Sequence, residues 1–160
     1  MPNSLIGASV WEQSLYEHLT THEENERQLL HEYQQAAADS RSPAFRYLVS
    51  LIIDDEIRHH RLFQELADSL RNDAEMHPEE PPIPRIVNWG PDPAFLVELS
   101  ERLARHEQMD LTELRRIRKE MDDLKDTTLW VLLVRLMELD TEKHIAIAEF
   151  VKRHAKVARS

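Results

Sequence analysis

Apolar residues recur along this chain at steps of three and four, the spacing that lines one face of an α-helix. Leu15, Leu19, His22, Glu26, Leu29, Leu30 and Tyr33 share a first face. Val49, Ile52, Ile53, Glu56, His59 or His60, Phe63 and Leu70 share a second. Leu99, Leu103, His106, Asp110, Leu114 and Ile117 define a third stripe, and Leu133, Leu136, Asp140, His144, Ile147 and Val151 a fourth. The pattern predicts long helices over about 10–38, 43–71, 93–121 and 127–155. Ser42-Pro43 and Asp92-Pro93 read as helix N-caps followed by proline in the first turn, and Asp126 as a cap for the fourth helix. The segment from Asp73 to Pro91 holds most of the prolines and is predicted to be non-helical. Two short turns around one long connection predict a single all-α domain over 1–160, a four-helix bundle of two antiparallel hairpins. The hairpins are expected at 10–71 and 93–155, with a crossover at 72–92.

The two halves resemble each other. Sliding the chain by 84 residues places Leu15 on Leu99, Leu19 on Leu103, His22 on His106, Glu23 on Glu107, Leu48 on Leu132 and His60 on His144. It also places Glu26 on Asp110, Glu56 on Asp140 and the cap Ser42 on Asp126. Similar helical patterns alone would mean little. The repeat of polar residues at stripe positions is more specific, and it suggests two copies of one hairpin.

Those polar residues carry the chemistry. His22 and Glu26, Glu56 with His59 and His60, His106 and Asp110, and Asp140 and His144 each lie near the middle of a stripe. Buried ionisable groups are costly unless they pair or hold a metal. A carboxylate three or four residues from a histidine lets one helix give two ligands to a cation. Mixed carboxylate and imidazole donors suit iron, manganese or zinc. A hydrogen-bonded network without metal is the structural alternative. Glu23 and Glu107 sit at the edge of their stripes, where a rim role fits better than ligation.

Composition narrows the classes. A length of 160 residues suits one core, and 41% hydrophobic residues with only two glycines favour helices over sheet. The absence of cysteine excludes disulfides, thiolate zinc sites and cysteine nucleophiles, and fits a cytoplasmic location. The N-terminal residues lack the pattern of a signal peptide. The longest apolar run, Leu129 to Met137, is broken by Arg135 and is too short for a bilayer, so no membrane partner is expected. A net charge of −10 argues against nucleic acid or anionic lipid.

The segment Leu51-Ile52-Ile53-Asp54-Asp55-Glu56-Ile57-Arg58-His59-His60-Arg61-Leu62 resembles the second-helix Glu-x-x-His motif of the ferritin-like superfamily, in its rubrerythrin and bacterioferritin-type members. Glu26 with Tyr33 is similar to the first-helix ligand and nearby tyrosine, and Met137 to His144 to the fourth-helix motif. Where the family has Glu three residues before that histidine, this chain has Thr141, with Asp140 one position earlier. The resemblance implies a ferritin-like bundle with a di-iron or di-manganese carboxylate site. It further implies oxidase, peroxidase or ferroxidase-like chemistry on oxygen or peroxide. Glu26, Glu56, Asp110 and Asp140 would be its carboxylate ligands, with His144 and either His59 or His60 as nitrogen ligands. His22 and His106 would add ligands or orient the others. Iron is the leading metal, with manganese or zinc as alternatives, and a homodimer is an open option for assembly. Two other functions fit the pattern: a non-catalytic bundle binding a metal or small ligand in its core, and a hemerythrin-like oxygen binder.

Overall fold

The structure is a computed structural model that describes residues 5–76, 81–84, 89–122 and 129–157, without the side chains of 22–25, 122 and 157. Four α-helices account for most of it: α1 Val10–Asp39, α2 Pro43–Ala74, α3 Pro93–Asp122 and α4 Trp130–Val157. No strand occurs among the described residues.

Local chemistry sets the helix ends. Ser9 and Glu12 form a capping box on α1: the Ser9 hydroxyl accepts from the Glu12 N–H, and the Glu12 carboxylate accepts from the Ser9 N–H at 2.7 Å. Hydrogen bonds donated to the Glu12 carboxylate, by the Ser9 hydroxyl first and then by the Ser9 N–H, hold that carboxyl below its ordinary value. Ser42 caps α2 by accepting from the Phe45 N–H at 3.2 Å, with Pro43 at the first helical position. The Asp92 carboxylate accepts from the Phe95 N–H at 2.9 Å at the start of α3. Asp126, the expected cap of α4, lies outside the described residues. α2 continues to Ala74, so Asn72, Asp73 and Ala74, expected in the crossover at 72–92, are helical. The helix-breaking prolines begin only at Pro78, and nothing before it obliges the helix to stop.

The chain divides into two compact units, Met1–Arg85 and Ile86–Ser160, each holding one helical hairpin. In the first, α1 and α2 run antiparallel, with Arg71 donating to the Tyr16 hydroxyl and His60 lying opposite Glu26. Its core gathers Leu5, Tyr16, Leu19, Ala67 and Leu70, with Leu15, Phe63 and Leu66 packed against them. Leu5 reaches this core through a turn at Gly7, whose φ is +87°. A Cβ there would stand 3.0 Å from the Ala74 carbonyl oxygen, so both backbone and space call for glycine.

In the second unit α3 and α4 are also antiparallel, tied by Glu101 to Lys156, Glu107 to His144, Arg115 to Glu142 and Arg118 to Glu138. Buried and half-buried positions on α3 include Val97, Ser100, Ala104, Glu107, Leu111, Leu114 and Arg118, and on α4 Val134, Glu138, Thr141, Ile145, Ala148, Lys152 and Ala155. Both series alternate steps of three and four, the spacing of a coiled-coil seam.

This seam coincides only in part with the apolar stripe that the sequence picks out: it shares Leu114, while Ile117, Leu133, Leu136 and Val151 are half-buried beside it. Leu99, Leu103 and Ile147 are exposed, as are Asp110, Asp140 and His144. The hairpin closes instead on a neighbouring face rich in small residues, where Ser100, Ala104, Thr141, Ala148 and Ala155 let two helices approach closely. In the first hairpin the corresponding face of α2 carries Ser50, Asp54 and Gln64, which are exposed, whereas on α1 it includes the buried Tyr16. Its α2 buries the expected stripe instead, through Val49, Ile53, Glu56, His60, Phe63 and Leu70. Two hairpins of one sequence pattern therefore bury different faces of their second helices.

Candidate metal centre

That difference decides which polar residues meet. In the first hairpin Glu26 on α1 and Glu56 and His60 on α2 all fall on the buried seam. One ligand atom from each lies within 4.8 Å of the others. His60 Nε2 is 3.4 Å from Glu26 Oε2, and both side chains are about three-quarters buried. Glu56 and His60 are four residues apart, one turn along the same face. Glu26 comes from the facing helix because α1 and α2 run antiparallel.

Glu56 is the most constrained of the three. Its side chain is 20% exposed. Its Oε2 atom is fully buried and has no hydrogen-bond partner. His59 Nδ1 lies 3.7 Å from it, too long for a hydrogen bond. His59 stacks on Phe63 with ring centroids 6.4 Å apart and is nearly half exposed. His60, not His59, is thus the histidine grouped with both carboxylates. This matches the internal repeat, which pairs His60 with His144, and departs from the Glu-x-x-His spacing.

The remaining predicted ligands are not gathered in this way. Asp110 and His106 form an ion pair one turn apart on α3, 3.4 Å long and more than half exposed at both ends. Asp140 is paired to Lys143 at 2.5 Å on α4. His144 Nδ1 lies 3.4 Å from Glu107 Oε2 on α3. Glu107 rather than Asp110 meets His144 because Glu107 is on the seam and Asp110 is beside it. Asp110, Asp140, His144 and Glu107 still border one cleft of about 480 Å³, together with Glu113, Met137 and Thr141. His22 lies on α1, but its side chain is outside the described residues. Tyr33 sits at the turn end of the first hairpin, in a cleft of about 310 Å³ with Leu29 and Phe45.

Two polar clusters escaped the sequence pattern. Glu138 is fully buried, between Arg118 of α3 and Arg135 of α4. Hydrogen bonds from Arg118 first, and from Arg135, hold its carboxyl below the ordinary range. In the first hairpin the buried Tyr16 accepts from Arg71, whose guanidinium also lies 5.5 Å from the ring centre. Only the three-four spacing of Val134, Glu138 and Thr141 could have marked Glu138, and a lone glutamate at such spacing is common on solvated faces.

Among the described residues no helix is long and apolar enough to cross a membrane. No family model, no curated protein and no solved structure matches the chain.

Proposed function

We propose that the protein binds a redox-capable cation at Glu26, Glu56 and His60, and belongs with the ferritin-like metal proteins that its helical motifs resemble. The observation that carries this reading is the buried Glu56 Oε2, which lacks a hydrogen-bond partner within a group of two carboxylates and an imidazole. A buried carboxylate oxygen left unpaired costs free energy, and a cation ligated there would remove that cost. The donor set fits iron or manganese, with zinc as a redox-inert competitor. Such a metal supplies electron transfer to oxygen or peroxide. The chain supplies two carboxylates against the positive charge and an imidazole from α2, on a helix face that Ile53 and Phe63 share.

The second hairpin gathers no comparable set among the described residues: Glu107, Asp110, Asp140 and His144 border one cleft without converging as Glu26, Glu56 and His60 do. Lys143 already neutralises Asp140 there, so the proposal puts the first ion at Glu26, Glu56 and His60, and any second ion at lower affinity. A metal-binding role without catalysis is the second reading, favoured by this unequal pair of half-sites.

The ferritin-like arrangement, with both hairpins closed as one four-helix bundle, is part of the proposal. The 84-residue correspondence supports it, as do the large apolar residues that remain exposed, among them Leu29, Ile52, Leu99, Leu103 and Ile147. Small-angle scattering should then give a radius of gyration of about 15 Å, the value for a compact chain of this length. A radius well above 20 Å would count against closure.

Metal analysis tests the centre itself. Untagged protein grown with added iron and manganese should retain about one equivalent or more. Glu26→Ala should retain less than a tenth of that. Wild-type protein that stays metal-free in both media sinks the reading.

A further inference from the structure

A cleft of about 400 Å³ runs between α3 and α4 of the second hairpin, and no residue of the apolar stripes lines it. Its α3 wall is Glu101, Ala104, Arg105 and Gln108. Ile145, Glu149 and Lys152, spaced at four and three along one face, form its α4 wall. Ala104 and Ile145 are half-buried residues of the seam and give the cleft an apolar floor. Every side chain within a turn of this lining on either helix is among those described.

The lining carries both signs of charge, but the two signs are not equally satisfied. Glu149 Oε1 accepts from Lys152 Nζ at 3.2 Å, and Glu101 Oε1 from Lys156 Nζ at 3.3 Å. Each carboxylate thus keeps Oε2 able to accept another hydrogen bond. Arg105 is exposed and has no hydrogen-bond or ion-pair partner among the described residues. The Gln108 amide, three residues further along α3, can donate on the same side. A multiply charged anion in this cleft would meet Glu101 and Glu149 as well as Arg105. A simple cation would meet Arg105 and Lys152. A ligand with one charge of each sign, a few ångströms apart, suits the whole lining.

We propose that this cleft binds zwitterionic amino acids with an aliphatic side chain. The ligand carboxylate pairs with the Arg105 guanidinium, whose planar fork can hold both oxygens, and Gln108 is a further donor. The ligand ammonium donates to Glu149 Oε2 on the facing helix, with Glu101 as a further acceptor. The aliphatic body lies on Ala104 and Ile145. The volume equals about 13 waters at ~30 Å³ each, which exceeds the size of leucine. This site belongs to the second hairpin alone and does not depend on the metal centre proposed in the first.

Leucine is a suitable probe. 4-Methylpentanoate matches it without the ammonium, and isopentylamine matches it without the carboxylate. Titrated into EDTA-treated full-length protein, leucine should shift the methyl NMR signals of Ala104 and Ile145. Each truncated probe should bind about tenfold or more weakly. Arg105→Gln should bring leucine down to the affinity of isopentylamine, and its Tm should match the wild type because Arg105 has no partner among the described residues. Glu149→Gln provides the converse: it should weaken leucine and leave 4-methylpentanoate no weaker. Equal binding of leucine and 4-methylpentanoate would mark an anion site, and equal binding of leucine and isopentylamine a cation site; either result overturns the proposal. So would unchanged leucine affinity in Arg105→Gln or in Glu149→Gln. Leucine that leaves Ala104 and Ile145 unshifted up to its solubility limit would overturn it as well.

Discussion

Glu56→Met should stabilise the metal-free protein and abolish metal uptake at the same time. Methionine has about the volume and reach of glutamate and suits the helix face it would share with Ile53 and Phe63. It removes a buried carboxylate oxygen that has no hydrogen-bond partner. Leaving such a group unsatisfied costs ~1–3 kcal/mol. The side chain keeps a fifth of its surface in solvent, which favours the lower end of that range. A gain of about 1 kcal/mol corresponds to a rise in Tm of roughly 2–4 °C for a chain of this size. Thermal unfolding in EDTA reads that gain. Metal titration reads the loss, expected to exceed the ~100-fold that removing a supporting contact alone can cause. Metal at a hundred times its Kd should stabilise the wild type by about 2.7 kcal/mol and leave the variant unmoved. A variant less stable than wild type in EDTA would show that Glu56 serves the fold, and the metal reading would lose its main support.

The helices were legible in the sequence because their signals are local. Stripe period, Ser42-Pro43 and Asp92-Pro93 place three of the four helix starts within a residue or so of those observed. Glu26, Glu56 and His60 were legible as a group for a related reason, since all three lie on stripes that the first hairpin buries. In the second hairpin the helices meet on a face beside the one that the apolar stripe marks. The stripe is real, but Ala104, Ala148 and Ala155 give the neighbouring face a closer fit, and the helices pair there. Sequence periodicity identifies faces that can be buried; it does not rank two such faces on one helix. That ranking depends on how closely backbones approach and on which long side chains find partners. Asp110 and Asp140 consequently stand beside the seam, one paired to His106 and the other to Lys143. The same kind of detail, a rotation of about 100° per residue around α2, groups His60 rather than His59 with the two carboxylates.

Arg118→Met should destabilise the second hairpin more than Glu138→Leu does. The two substitutions break the same ion pair but leave different groups behind. Without Arg118, the fully buried Glu138 keeps only Arg135, at 2.8 Å, and part of its charge is uncompensated. Breaking a buried pair in that way costs about 3 kcal/mol or more. Without Glu138, Arg118 and Arg135 are left, with side chains 32% and 44% exposed, and both can turn to water. Leucine also fits the seam between Val134 and Thr141, so Glu138→Leu should cost no more than about 1 kcal/mol. The double variant should lie near Glu138→Leu, giving a coupling of roughly 2 kcal/mol in a double-mutant cycle. Acid provides an independent check. The Glu138 carboxyl is held below its ordinary value in the folded protein, so its contribution is complete above that value, near pH 4.5, and is lost as pH falls through the lower folded value. Between pH 5 and pH 3 the wild type should therefore lose more stability than Glu138→Leu, as measured by urea unfolding. If Glu138→Leu proves the worse substitution at neutral pH, the carboxylate itself organises the seam. If it is nearly neutral, the small residues of α3 and α4 are sufficient to hold the register that keeps Asp110 and Asp140 outside the seam.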